Sequence, residues 1–286
     1  MNGSIHTPVG TASKISLAAR LAETEAKVRA YPARAEHRWE LFQLLCVMAQ
    51  WTRAIQQLQV CSRQQPDQAA MAHACRDLIR AERWRNRVFG GREAPGFLFE
   101  PPAWIGGMLD ALRLTASGDE EAADCAREAA LDAAPLVHAT APQAHVEWIG
   151  DSDTRLGPVF EIITAGHYRW LPLADIASWH VERPATLLEL VWTPCTLKLI
   201  DSTTVRGFTP ARYPSPPQDD QLDDALRLGH RTEWHAVGHT AVIGIGQKTW
   251  ATSAGDFSMF ELAAVDFTRP ATASANTSKD VSNVDG

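Results

Sequence analysis

Apolar residues recur every three or four positions through the first half of the chain. In the second half they gather into short runs broken by proline and glycine. Ser13 and Ser16 can each cap a first helical turn, and LAARLAETEAKVRAY then reads as a helix that stops at Pro32. A second helix is predicted over 34–48, with Leu41, Phe42, Leu45 and Met48 as its buried stripe. A third is predicted over 51–64, with Trp51, Ile55, Leu58 and Cys61 on one face and Pro66-Asp67 at its end. Helices joined by two or three residues lie antiparallel. A fourth helix is predicted over 68–88. A Gly/Pro loop over 89–102 follows, then helices over 103–116 and 119–133. Gly118, Ala123, Ala130 and Pro135 have the spacing of the back half of a tetratricopeptide-type hairpin. The glycine makes the turn, the alanines let two helices approach, and the proline ends the second. Trp39 to Pro66 is a looser copy, one residue out of register.

After Pro135 the period shortens. Runs over 159–163 and 167–171 flank Ala165-Gly166 and read as a hairpin. Further strands are predicted over 179–182, 187–192, 196–200, 203–208, 232–237, 241–245, 247–252 and 260–267. Pro172, Pro184, Pro194 and Pro210 punctuate them. Pro214, Pro216 and Pro217 mark a loop, and 219–228 reads as a short acidic helix. The fold class is α+β: tetratricopeptide-like helical hairpins, all α, over 14–135, then a β-rich, mostly antiparallel domain over 136–269. The polar ends, 1–13 and 270–286, read as a flexible tail and a disordered tail.

The chain has 286 residues and is 45% hydrophobic, enough for one large core or two ordinary ones. No apolar run reaches the length of a membrane span, and no positive n-region with an apolar h-region opens the chain. Five cysteines without CxxC spacing (Cys46, Cys61, Cys75, Cys125 and Cys195) suit a reduced, cytoplasmic setting, and the four in predicted helices read as small buried hydrophobes. The formal charge of −7 is unevenly placed. Residues 1–135 carry 16 Lys and Arg against 16 Asp and Glu. Residues 136–286 carry 11 against 18. Neither half has the basic excess of a nucleic-acid binder.

The helix over 68–88 places Arg76, Arg80, Arg83 and Arg87 along one face. This is either a solvated face paired with Asp77 and Glu82, or a docking strip for an acidic partner segment, since guanidinium groups grip carboxylates bidentately. The densest polar cluster is EWIGDSDTRLGPVFE over 147–161, where Asp151, Asp153 and Arg155 precede the turn pair Gly157-Pro158. Two carboxylates one residue apart suit a divalent ion, and a metal-dependent hydrolase built on them is one alternative. No EF-hand loop completes the motif, and a polar turn with an Asp–Arg155 pair is the simpler reading. His235 and His239 are four apart in a strand-like stretch without the HExxH glutamate, which gives them a structural role. Gly244 to Thr249 lacks the spacing of a phosphate loop, and Gly-x-Gly lacks the third glycine of a dinucleotide loop. No nucleophile elbow occurs. Of ten tryptophans, Trp148, Trp170, Trp179, Trp192, Trp234 and Trp250 fall after residue 135. They read as core rings, with a carbohydrate-stacking surface as the other possibility. No catalytic, cofactor-binding or metal-binding residue is assigned.

In order along the chain, HRWELFQLL, the helical block, EWIGDSDTRLGPVFE, GHYRWLP, LVWTP, PARYP, RTEW and GQKTW together resemble the ImpE/TagJ family, also called SciE-type, over about residues 16–268. The most specific pieces are Trp148, Asp151, Asp153, Arg155, Leu156, Gly157 and Pro158; Arg212, Tyr213 and Pro214; Thr232, Glu233 and Trp234; and Gly246 and Gln247. Lys248 stands where the family usually has arginine, and Gly150 where alanine is frequent. The resemblance implies a non-enzymatic accessory protein of bacterial type VI secretion. It implies binding to the N-terminal helix of the small sheath subunit and assistance to the ClpV-type AAA+ ATPase that recycles the sheath. It implies no cofactor.

Overall fold

The computed structural model describes residues 15–214 and 222–268. The expectations for Ser13, Pro216, Pro217, 219–221 and both chain ends lie outside those residues. Six helices precede the first strand: α1 (Leu17–Ala30), α2 (Ala35–Val47), α3 (Trp51–Gln64), α4 (Ala69–Phe89), α5 (Ala103–Ser117) and α6 (Glu120–Ala133). The Ser16 hydroxyl accepts the Ala19 N–H at 3.2 Å and starts α1. Gly118, with φ +83°, ends α5, and the Asp119 carboxylate accepts the Ala122 N–H to start α6. Ala123 and Ala130 are buried between α5 and α6. Facing Ala130 stands Gly107, where any Cβ would come within 3.0 Å of the alanine's own, so this pair sets how close the two helices lie.

The second half begins with β1 (His138–Ala141), β2 (Ala144–Val146), β3 (Ile149–Asp151), β4 (Val159–Thr164), β5 (His167–Pro172) and β6 (Ile176–Val181). It continues with β7 (Trp192–Leu199), β8 (Thr204–Pro210), the four-residue α7 (Asp224–Arg227), β9 (Thr232–Val237) and β10 (Ala241–Gly246). It closes with β11 (Thr249–Thr252), β12 (Gly255–Ser258) and β13 (Ala264–Thr268). Eight strands form one sheet in the order β2-β1-β13-β6-β7-β8-β4-β5, with every neighbouring pair antiparallel. A three-stranded sheet β12-β11-β3 and a two-stranded ribbon β10-β9 complete the architecture. The hairpin on Ala165-Gly166 forms as the pattern predicts, with both turn residues at positive φ.

One hydrophobic cluster belongs to both halves. It runs from Leu17 through Phe42, Ile79 and Met108 to Val159, Trp170, Trp192 and Tyr213. A second lies within the β region, where the Trp179 and Trp250 rings stack 4.8 Å apart and Phe160 lies 6.0 Å from Trp250.

Four expectations need correction. The 187–192 run is not a strand but a tight turn, in which the Val191 and Trp192 N–H groups donate to Leu188 O. Leu187, Leu190 and Val191 are apolar because the turn plugs the shared core, a demand that mimics a buried strand. At 260–263 the chain also turns, and β13 begins only at Ala264. Trp148 and Trp234 are not core rings, being 40% and 42% exposed, whereas Trp170, Trp179, Trp192 and Trp250 are buried. Cys125 is exposed on α6, while the other four cysteines are buried.

The two classes of tryptophan should separate on truncation. Trp250→Ala removes a ring packed on both sides and should cost about 3–5 kcal/mol. Trp148→Ala should cost under about 2 kcal/mol, since much of that ring stays in water. Urea unfolding midpoints of the two variants check both.

Candidate functional site

Arg85 sits on the inward face of α4, one helical turn beyond Ala81 and two beyond Leu78, and is 1% exposed. A buried guanidinium needs anions on several sides. Its Nε donates to Glu161 Oε1 at 2.6 Å and its Nη2 to Glu161 Oε2 at 3.0 Å. Nη1 donates to Glu82 Oε1 and Nη2 also to Arg212 O, both at 3.0 Å. Glu82 in turn accepts the Trp192 indole N–H at 3.2 Å. Glu161, in the middle of β4, also accepts the Tyr168 hydroxyl at 2.6 Å and the Lys248 ammonium. The Trp170 indole N–H donates to the Tyr168 oxygen.

Lys248 carries the network to the motif over 147–161. Its Nζ lies 2.7 Å from Asp151 Oδ2. Asp151 Oδ1 accepts the Tyr213 hydroxyl at 2.7 Å and the Asp153 N–H at 3.0 Å. Asp153 takes Arg155 side-on and also accepts the Arg155 and Gly244 N–H groups, each at 3.0 Å. The guanidinium carbons of Arg85 and Arg155 lie 5.3 and 4.8 Å from the Phe89 ring centre. Three cations (Arg85, Arg155 and Lys248) thus face four anions (Glu82, Asp151, Asp153 and Glu161).

The two central carboxylates are driven apart. Burial raises Glu161, but Arg85 and Lys248 outweigh it and bring the group to about 2. Burial dominates at Asp151 and pushes it up to about 6, against the pull of Lys248. Lys248 ends above its ordinary value because Asp151 and Glu161 together overcome its desolvation. Arg212, lowered by burial to about 10, remains charged at neutral pH.

Most of the quoted motif pieces serve this scaffold. Leu156 is fully buried, and Gly157, at φ +57°, returns its carbonyl to the Asp151 N–H while Pro158 O accepts from the Leu173 N–H. Arg212 donates to Val47 O at the end of α2, bolting the β region to a helix carbonyl. The Tyr213 N–H donates to Gly246 O, and Pro214 follows half-buried. Thr232 donates to Gln247 O at 2.6 Å, and Gln247 bridges Arg212. Trp234 meets the Tyr213 ring edge-on, with centres 5.6 Å apart. Gly244 is required beneath that tyrosine, because any Cβ would collide with the ring. Glu233 pairs with Arg231 at 2.8 Å. Trp148 lies outside the cluster, its carbonyl accepting from the Ser253 N–H.

Asp151 and Asp153 therefore face different partners. Among the described residues no three His, Cys, Asp or Glu side chains lie together as metal ligands. His235 and His239 are exposed, and the His239 N–H donates to Asp124 at 2.7 Å. The arginine strip stays largely at the surface. Arg76 donates to Ser62, Arg80 pairs with Asp77 at 3.0 Å and donates to Gly166 O, Arg83 donates to Thr52, and Arg87 lies 3.9 Å from Glu93. Glu82, expected to pair with this strip, turns inward to Arg85 instead. Sequence reading passed over Arg85 and gave no role to Glu161 or Lys248. Two signals were available: the helical phase of Arg85 matches Leu78 and Val88, and Glu161 is a lone charge within VFEII.

Comparison with known proteins bears on this scaffold. A family model described as ImpE protein matches residues 143–266. A Pseudomonas aeruginosa protein named type VI secretion system accessory component TagJ is 42% identical over 241 residues, covering 84% of each chain. The chain belongs to the ImpE/TagJ family. The crystal structure of protein VPA1032 from Vibrio parahaemolyticus shares the fold, with a TM-score of 0.81 over 89% of this chain and 95% of that one, at 23% identity. Among the described residues no helix is long and apolar enough to cross a membrane.

Removing one partner from the cluster strands the others. Glu161→Gln or Arg85→Ala should cost about 3–5 kcal/mol in chemical unfolding. The pH dependence has two opposite parts. Asp151, raised from an ordinary 3.8, favours the folded state below that value and loses the contribution as pH rises through about 6. Glu161, lowered from 4.5, favours the folded state above that value and loses it as pH falls towards about 2. Between pH 7 and 5, wild type should therefore gain stability relative to Asp151→Asn, measured by urea titration at each pH.

Proposed function

We propose that this protein is a non-enzymatic accessory component of a bacterial type VI secretion system, working in the cytoplasm by presenting surfaces to partner proteins. The observation that carries the reading is the 42% identity, over 84% of both chains, to the protein named as such an accessory component. The internal chemistry supports it. Asp151, Asp153, Glu161 and Lys248 are each engaged by other side chains or backbone groups of the same molecule, and all four are buried. They act as struts rather than as groups presented to a substrate.

The partner is the small sheath subunit, held through its N-terminal helix, and through it the protein assists the ClpV-type ATPase in sheath recycling. The helical half supplies the receiving face. On α4, Arg80, Arg83 and Arg87 are exposed, and Arg83 spends its hydrogen bond on a neutral hydroxyl, so its charge remains available to a carboxylate. Neither nucleic acid nor membrane insertion enters this reading. Titration of the full chain with the sheath subunit's N-terminal helix should give saturable binding at micromolar concentrations or tighter. Arg80→Glu with Arg83→Glu should weaken that binding about ten-fold or more while leaving the unfolding midpoint within experimental scatter. Equal affinity for the double variant would remove the strip from the interface; no binding by wild type would remove the partner.

A further inference from the structure

Strand β9 is open along one side. It pairs with β10 from Thr232↔Gly246 to Val237↔Ala241, and with no other strand among the described residues. The Gln247 N–H donates to Arg231 O at 3.0 Å, so residues 231 and 247 are a hydrogen-bonded pair. Alternation along an antiparallel ladder then turns the N–H and C=O groups of Glu233, His235 and Val237 towards β10. Those of Thr232, Trp234 and Ala236 point away. On the far side of β10 the equivalent groups are used: Val242 O accepts from the Thr154 N–H, and Gly246 O from the Tyr213 N–H. On the far side of β9, Trp234, His235 and Ala236 are exposed.

Other edges are short or covered. Gly96 bonds to Tyr168 and Trp170 along β5, β2 has 3 residues, and β12 has 4. β9 has 6, with neither proline nor lysine to discourage pairing. An edge of this kind is a template for another strand.

We propose that β9 pairs antiparallel with β9 of a second copy of this chain across a twofold axis, joining the two ribbons into one continuous sheet. The outward groups set the register. With the axis normal to the ribbon, Trp234 lies opposite the partner's Trp234, and Thr232 opposite the partner's Ala236; each such pair exchanges two backbone hydrogen bonds. Glu233 then falls opposite the partner's His235, in the non-hydrogen-bonded positions where side chains approach most closely. Arg231 holds Glu233 Oε1, which leaves Oε2 for the imidazole N–H. Slipping the strands by two residues sets Glu233 against the partner's Glu233, or His235 against the partner's His235. The strand is self-complementary in one register, as a closed twofold interface requires. The surface is small, so the dimer forms and dissociates with concentration.

Sedimentation equilibrium on the full chain, from low to high micromolar concentration, should show a monomer–dimer equilibrium. Ala236→Pro deletes an outward N–H that β10 does not use, and should abolish the dimer with thermal unfolding unchanged. His235→Glu sets carboxylate against carboxylate twice and should weaken association about ten-fold. Adding Glu233→His to it restores opposite groups and should recover association. A chain that stays monomeric throughout, or a dimer indifferent to Ala236→Pro and to His235→Glu, overturns the proposal. If Ala236→Pro does not fold, the loss and recovery across the two exchanged side chains decides it alone.

Discussion

The helices and the sheet are held in one arrangement by charges that have nowhere else to go. Arg85 comes from α4, Glu161 from β4, Asp151 from β3 and Lys248 from the approach to β11, and all four are buried. Moving α4 off the sheet would leave the Glu161 carboxylate with Lys248 as its one cation and the Arg85 guanidinium facing only Glu82. Each ion costs several kcal/mol to desolvate and regains it only from its partners. The cluster is therefore better read as a device for specifying one packing than as a source of net stability. Apolar residues from both halves, among them Ile79, Val88, Val159 and Trp170 in one cluster, supply the non-directional attraction. The ions decide which of many apolar packings is allowed.

The same logic explains why the motif is spread over a hundred residues. Asp151 needs Tyr213 and Lys248, Tyr213 needs a glycine at 244 to lie flat against β10, and Arg212 needs the carbonyl of Val47. These residues depend on one another for their partners. The Lys248 ammonium reaches both Asp151 and Glu161, though it forgoes the bidentate geometry of a guanidinium.

Element type was legible wherever a period ran long enough. All six long helices, the 165–166 hairpin and most strands follow from spacing, caps and turn residues, because those signals are local. What escaped was set by tertiary demand. The 187–192 run is apolar because it fills a gap between helices and sheet, and nothing within it distinguishes that from a strand. Trp148 and Trp250 look alike in the sequence, yet only Trp250 lies between two other rings. The Asp153–Arg155 pair was readable because its members are two residues apart. The partners of Asp151 and Glu161 were not, since they lie 76 to 97 positions away or on other elements.

A consequence follows for where specificity resides. Of the most specific residues that carry the family likeness only Trp148 and Trp234 are exposed, so the likeness reports the scaffold more than a surface. Exposed charge lies elsewhere: on the arginines of α4 and on the acidic outer face of α6 with Glu121, Glu128 and Asp132, while β9 leaves one side open. Exposed ion pairs contribute little singly, so recognition on these faces depends on several charges acting together over a rigid support. The buried cluster supplies that rigidity. Because α4 cannot shift without stranding Arg85, the spacing from Arg76 to Arg87 on its outer face is held as firmly as the core beneath it.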